Sequence, residues 1–221
     1  MIGCRRKCGT EPLRSRACLV ICYTLAVVTA FVLAGGKSSR MGADKAFLKF
    51  HNATLLERAK AIAKLVADEV YVSGPREKFG PEAIEDIFSN CGPLGGIHAA
   101  LKSSAAQLNL VLAVDLPFIE ADFLRYLLRQ TEAEAKAGAP LAVVPRAARG
   151  WQPLCAVYHK DFAEAAEKAL RENRFKIDWL FSQVPVRPVE EAEIFKAGFS
   201  PGMFDNLNTR EEFELAQQRL L

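Results

Sequence analysis

Two stretches of this chain combine residue types that could handle phosphate. The first is Leu33-Ala34-Gly35-Gly36-Lys37-Ser38-Ser39-Arg40-Met41-Gly42-Ala43-Asp44-Lys45. Glycines let backbone approach a ligand closely and turn N–H groups onto its oxygens, and Arg40 and Lys45 carry charge that would neutralise a triphosphate. A solvated strand-to-helix turn with incidental cations is the competing reading, and a Gly-Gly turn alone would favour it. The segment is neither a Walker A loop nor the dinucleotide fingerprint, which needs three glycines at fixed spacing. The second stretch is Asn109-Leu110-Val111-Leu112-Ala113-Val114, the clearest buried strand in the chain, which ends on Asp115. A carboxylate at a strand end can hold a hard cation such as Mg²⁺ against a phosphate, or it can merely cap the helix after Pro117.

These groups need a scaffold, and hydrophobic patterning supplies one. Val27 to Ala34 is rich in β-formers and runs straight into the glycine loop, as the buried first strand of a parallel sheet does. Leu55, Ala59, Ile62 and Val66 recur at helical spacing, predicting a helix over 54–67. A strand over 69–73 closes on Gly74-Pro75, and a weaker extended segment follows at 83–87. Cys91 to Gly96 punctuates the start of a helix at 97–103. Phe123, Leu124, Leu127 and Leu128 mark another helix, Leu141–Pro145 and Pro153–Tyr158 two more strands, and 161–172 a long helix. Thr209-x-x-Glu212 is a capping box opening the last helix. Strands alternating with helices at this rhythm imply a mainly parallel twisted sheet in a three-layer α/β/α arrangement, with ligands at the carboxyl ends of the strands.

The bulk numbers are permissive. At 221 residues, half of them apolar, the chain suits one α/β domain. Its 29 basic and 26 acidic side chains leave a net +3, much of it in the first sixteen residues, so nothing calls for a nucleic-acid or membrane partner. Four of six cysteines (Cys4, Cys8, Cys18, Cys22) crowd the N-terminus, arguing against a disulfide framework, and their spacing lacks the tighter knuckle of a zinc site. Cys91 and Cys155 read as buried small hydrophobes. Ala17 to Ala34 carries no charge and follows a basic stretch, so a signal peptide or membrane anchor is conceivable. Cleavage or membrane burial would destroy the strand ahead of the glycine loop, however. We therefore expect 1–26 to be a nonessential extension and 27–221 a single catalytic domain, located in the cytoplasm.

The glycine loop resembles the nucleotidyltransferases whose first strand ends in Leu-Ala-Gly-Gly-x-x-x-Arg-Met-Gly followed by a lysine. Gly42-Ala43-Asp44-Lys45 is similar to the molybdenum cofactor guanylyltransferases, where sugar-1-phosphate pyrophosphorylases usually place proline before the lysine. Cytidylyl relatives typically begin Leu-Ala-Ala-Gly. Three further segments extend the resemblance: Ile84-Glu85-Asp86 with Gly92-Pro93-Leu94-Gly95-Gly96-Ile97, Ala113-Val114-Asp115-Leu116-Pro117-Phe118, and Phe204-Asp205-Asn206-Leu207-Asn208-Thr209. Near Gln152-Pro153-Leu154 some relatives place histidine before the proline, a departure that bears on the acceptor side.

The resemblance implies a Rossmann-like nucleotidyltransferase fold that transfers GMP from GTP to molybdenum-molybdopterin cofactor, with Mg²⁺ on Asp115. It implies that Lys45, assisted by Arg40, contacts the triphosphate and stabilises departing pyrophosphate. Asp86 would receive the nucleoside, with Glu85 as its rival, and backbone of Leu33, Ala34 and Gly35 would line the base pocket. Asn206 and Asn208 would hold the pterin side, or else satisfy the turn before Thr209. Proteins that deliver molybdopterin or mature molybdoenzymes are the implied partners. His51, His98 and His159 lack ligand spacing and read as ordinary surface or helix residues, and Trp151 and Trp179 read as packing rather than pterin stacking. The alternatives are a cytidylyltransferase acting on molybdopterin, a sugar- or alcohol-phosphate nucleotidyltransferase, or, from another class, a membrane-tethered adaptor that binds nucleotide without turnover.

Overall fold

The computed structural model describes residues 27–35, 44–133, 139–207 and 209–219, without the side chains of 132, 133 and 219. The expectations for residues 1–26, Arg40 and Asn208 lie outside the described residues. In chain order, β1 (Val28–Leu33) precedes a short 3₁₀ turn (Lys45–Phe47), the hairpin of β2 (Lys49–Phe50) and β3 (Ala53–Thr54), then α1 (Leu55–Ala63). Next come β4 (Glu69–Ser73), α2 (Arg76–Phe79), α3 (Pro93–Ser103), β5 (Leu108–Ala113), α4 (Ala121–Ala133) and β6 (Ala142–Ala147). The chain continues through β7 (Gly150–Trp151), β8 (Cys155–His159), α5 (Phe162–Arg171), α6 (Ile177–Phe181), β9 (Val186–Glu190) and α7 (Glu191–Lys196). A second 3₁₀ turn (Pro201–Phe204) leads to α8 (Arg210–Arg219).

The run Val28–Leu33 is buried at every position because β1 is an inner strand, flanked in parallel by β4 and β5. Ala30 and Val32 face a core that includes Leu55 and Ala59 of α1, Phe123 and Leu127 of α4, and Ala216 of α8. Phe31 and Leu33 face a second core with Leu94 and Ile97 of α3, Phe162 and Ala166 of α5, and Leu180 of α6. Side chains alternate across a strand, so a strand covered on both faces must be apolar throughout, and three layers result.

The main sheet has seven strands, with β4, β1, β5, β8 and β6 as successive neighbours and β9 along the outer edge of β6. β1, β4, β5, β6 and β9 point the same way, whereas β7 and β8 run against them. The carboxyl ends of β1, β4, β5 and β6 therefore share one edge with the start of β8. Among the described residues no helix is long and apolar enough to cross a membrane.

Several details differ from the sequence reading. α3 starts at Pro93 rather than 97, because proline is well suited to a first helical turn and its neighbours Leu94, Gly95 and Gly96 are buried there. α1 ends at Ala63, and its start is a capping box: the Glu57 N–H donates to Thr54 Oγ1 at 3.2 Å while the Thr54 N–H donates to Glu57 Oε2 at 2.7 Å. Residues 83–87 form no strand beyond one parallel bridge, Ser73 to Ile84. β9, containing Pro188 and Arg187, escaped notice because it sits at an edge, where a missing N–H is tolerated. The capping box expected at Thr209 is present, with both Thr209–Glu212 hydrogen bonds at 3.1 Å.

Candidate active site

A cleft of about 930 Å³ opens at the shared carboxyl edge. Its floor begins with Leu33, Ala34 and Gly35, where β1 stops. The Ala34 and Gly35 N–H groups both donate to the Ser73 carbonyl, at 2.9 and 3.1 Å, so the chain bends over the end of β4. These two amides are thus committed to protein, and Leu33 to Gly35 line the cleft without supplying them to a phosphate. Gly35 packs on Gly74: a Cβ there would meet Gly74 Cα at 3.5 Å, an ordinary contact distance.

Lys45 follows Asp44, whose carboxylate caps the 3₁₀ turn by accepting from the Ala46 N–H at 3.1 Å and pairs with Lys78 at 3.0 Å. Thus braced, Lys45 extends its ammonium to Asp115, donating to Oδ2 at 3.1 Å. The two side chains are only 17% and 21% exposed, so the pair sits in a partly desolvated setting where charge counts for more than on open surface. Asp115 is held through its backbone neighbours. The Val114 N–H donates to Leu33 O at 3.1 Å, and the Leu207 N–H donates to Asp115 O at 3.2 Å. The latter bond brings the late Asn206-containing segment to the site; Asn206 itself is exposed and does not line the cleft.

Asp86 and Glu85 are separated by their contacts. Glu85 accepts from the Arg76 N–H at 3.0 Å. Asp86 has no hydrogen-bond donor among the described residues, although its carboxyl lies against the start of α3, 3.6 Å from where side chains on Gly95 and Gly96 would begin. The residue as a whole is exposed, yet burial of that carboxyl raises its pKa above the ordinary aspartate value. Gly92, with φ of 63°, makes the left-handed turn that lets α3 begin under the loop. The positive end of α3 faces the cleft through Gly92, Pro93 and Gly96.

The sequence reading did not single out Ser73, Gly74, Pro75, Ser89, Asn90 and Leu154 as lining residues. Gly74-Pro75 had marked a strand end, and Asn90 carries a positive φ of 60°, a conformation asparagine tolerates better than most residues. Behind the loop, the Phe88 ring lies edge-on to His98 at 5.3 Å and beneath the Arg171 guanidinium at 5.7 Å. His98 is a helix residue, as expected, but fully buried, and burial lowers its pKa. Hydrogen bonds from Arg171 and Lys102 pull Glu167 beside it down to about 2. Trp151 packs on Phe181 at 5.1 Å and under Arg146 at 5.2 Å, and Trp179 lies 4.5 Å from Arg174, so both serve packing. Cys91 and Cys155 are buried free thiols, and burial pushes the Cys155 thiol well up. Among the described residues there is no cluster of three or more histidine, cysteine or acidic side chains. Of the three described carboxylates that line the cleft, Glu85, Asp86 and Asp115, only Asp115 stands at the end of β5 beside Lys45; one carboxylate there suits a Mg²⁺ ion taking most of its ligands from phosphate and water.

Known proteins resemble this chain in sequence and in fold. The family model described as MobA-like NTP transferase domain matches residues 30–184. A probable molybdenum cofactor guanylyltransferase of Pelotomaculum thermopropionicum is 35% identical over 86% of this chain and 91% of its own length. The molybdenum cofactor guanylyltransferase of Desulfosudis oleivorans is 31% identical over 86% and 94%. Among solved structures, molybdopterin-guanine dinucleotide biosynthesis protein A of Archaeoglobus fulgidus superposes with a TM-score of 0.73 at 24% identity, covering 87% of this chain and 98% of that one. The 2-C-methyl-D-erythritol 4-phosphate cytidylyltransferase of Thermus thermophilus reaches 0.61 at 18%, covering 89% and 99%, and so shares the fold. On the matched model, the curated relatives and the shared architecture, this chain belongs to the MobA-like NTP transferase family.

Proposed function

We propose that the protein transfers GMP from GTP to the phosphate of molybdenum-molybdopterin cofactor, forming the guanine dinucleotide cofactor and releasing pyrophosphate. The relatives named as guanylyltransferases support the substrate pair, and the observation that carries the chemistry is the Lys45–Asp115 contact inside the cleft. GTP as donor sets the reaction in the cytoplasm, with molybdopterin-delivering and molybdoenzyme-maturing proteins as natural partners.

In this reading an oxygen of the acceptor phosphate attacks the α-phosphorus of GTP in line. A P–O bond forms, the bond to the bridging oxygen of the β-phosphate breaks, and pyrophosphate leaves with the electron pair. The attacking group is already an anion, so no general base is required. Asp115 is the residue that would hold Mg²⁺, whose positive charge offsets the negative charge gathered at the phosphates. Lys45, already aimed at Asp115, is within the same charged locus and stabilises the departing pyrophosphate, with Arg40 assisting from the glycine loop. Leu33, Ala34 and Gly35 line the base pocket. Asp86 supports the choice of base: guanine presents adjacent N1–H and N2–H donors that match both oxygens of a carboxylate without a hydrogen-bond donor among the described residues, whereas cytosine offers the single N4 amino donor beside acceptors at N3 and O2. Asn206 and Asn208 would serve the pterin side through amide hydrogen bonds.

The test is pyrophosphate release by purified protein given a molybdopterin-loaded donor protein and each nucleoside triphosphate in Mg²⁺. Release with GTP is expected; release with CTP in its place would overturn the assignment of base.

A further inference from the structure

The turn that carries Asp115 is fastened from both sides, and the downstream fastening is made by an arginine that no part of the reaction uses. Arg58, on α1, donates through Nε to the Pro117 carbonyl at 2.7 Å, a contact across 59 positions of sequence. Arg58 is half-buried and forms no ion pair with a carboxylate among the described residues. Its guanidinium stands 5.8 Å from the Phe50 ring centre. Phe50 in turn meets Phe118 edge-on at 6.2 Å and Phe213 of α8 at 5.7 Å, so the arginine belongs to a bracket around the far end of the Asp115 turn. Upstream, the same turn is fixed by the bonds from Val114 N–H to Leu33 and from Leu207 N–H to Asp115. Pro117 is buried, and its carbonyl must find a donor; Arg58 provides it.

A partly desolvated guanidinium without a carboxylate partner is costly to keep merely to satisfy one carbonyl, since a neutral donor would do the same. We propose that Arg58 is a positioning residue that locks the Asp115–Pro117 turn and thereby sets the carboxylate's orientation for the divalent cation. The inference rests on the reading of Asp115 as the cation's ligand. Arg58 is not among the described residues lining the cleft and acts through the backbone of the turn. Loss of an outer partner of a metal ligand typically weakens metal binding by about 10- to 100-fold.

The full chain serves as the test material, with Mn²⁺ as the probe and GTP present, free Mn²⁺ being read by electron paramagnetic resonance. R58M should bind Mn²⁺ roughly tenfold more weakly, at the low end of that range, while its affinity for GTP without metal stays that of the parent. R58K, which retains a donor of comparable reach, should recover most of the lost affinity. Where R58M does not fold, R58Q takes its place with the same expectation. Parental Mn²⁺ affinity in the folded variant would overturn the proposal. So would absence of recovery in R58K, or a parallel fall in metal-free GTP affinity, which marks general loosening. Asp115→Ala is measured alongside: if it keeps Mn²⁺, the metal reading of Asp115 fails on its own account, whatever Arg58 does.

Discussion

Lys45 and Asp115, 70 positions apart in the chain, meet at 3.1 Å across the carboxyl edge of the sheet. One comes from the turn after the glycine loop and the other from the end of β5, which lies directly beside β1. The parallel pairing of Leu33 with Ala113 brings the end of β5 level with the end of β1, and the 3₁₀ turn capped by Asp44 returns Lys45 to the same edge. A triphosphate and its metal need that combination of charges.

Asp115→Ala should leave the fold intact, since the carboxylate is not a core contact and the turn keeps its backbone bonds. Transfer dependent on Mg²⁺ should fall at least about 100-fold, as for other losses of a principal electrostatic group. Circular dichroism and single-turnover assays check the two halves, and unaltered turnover removes Asp115 from the mechanism.

Asp86 sets a pH dependence. Burial raises its pKa, so the folded state holds this proton more tightly than the unfolded chain does. Its contribution to stability is thus greatest at acid pH and is lost as pH rises through the raised value, whereas guanine recognition requires the ionised form. The KM for GTP should accordingly climb on acidification, beginning at a higher pH than for an ordinary aspartate, and Asp86→Asn should flatten that limb. The same variant should narrow the preference for GTP over CTP by about 10- to 100-fold, the size of one bidentate base contact. A pH profile of KM identical in both proteins would rule Asp86 out.

Gly95→Ala tests the close passage of the Asp86 loop over α3. The added Cβ would stand 3.1 Å from the Phe88 carbonyl oxygen and 3.3 Å from Cys91 Cβ, and backbone cannot swing aside as a side chain can. In open helix the change would stabilise by about 1 kcal/mol; here the loop should be displaced and the KM for GTP should rise several-fold with little change in kcat. Titration calorimetry with GTP provides a direct check, an unchanged Kd being the contrary result.

A chain lacking residues 1–26 should retain full activity, because β1 begins at Val28 and, among the described residues, those lining the cleft lie at Leu33 or beyond. Steady-state assay of the shortened protein decides this, and failure to fold would show that the preceding residues support the sheet.

Much of this was legible from local pattern. The unbroken apolar runs of β1 and β5 announce strands buried on both faces, and the residues at their ends, from Leu33 to Gly35 and Asp115, line the cleft. Thr209-x-x-Glu212 likewise names its own capping box, because the partners are three residues apart. What the pattern could not show is anything that depends on which strands become neighbours. Alternation reads the same whether a strand runs up or down, so nothing in Cys155–His159 reveals that β8 opposes β5. Glu85 and Asp86 are chemically alike and both line the cleft; only the folded position of Arg76 ties Glu85 to a backbone N–H and leaves Asp86 against the start of α3. Arg58 looks like any solvent-facing helix residue until α1 is laid across the Asp115 turn. The chain's own order determines its elements and its stock of reactive groups, through contacts within a turn or two; the distances between those groups arise only when the sheet assembles and brings remote segments to one edge.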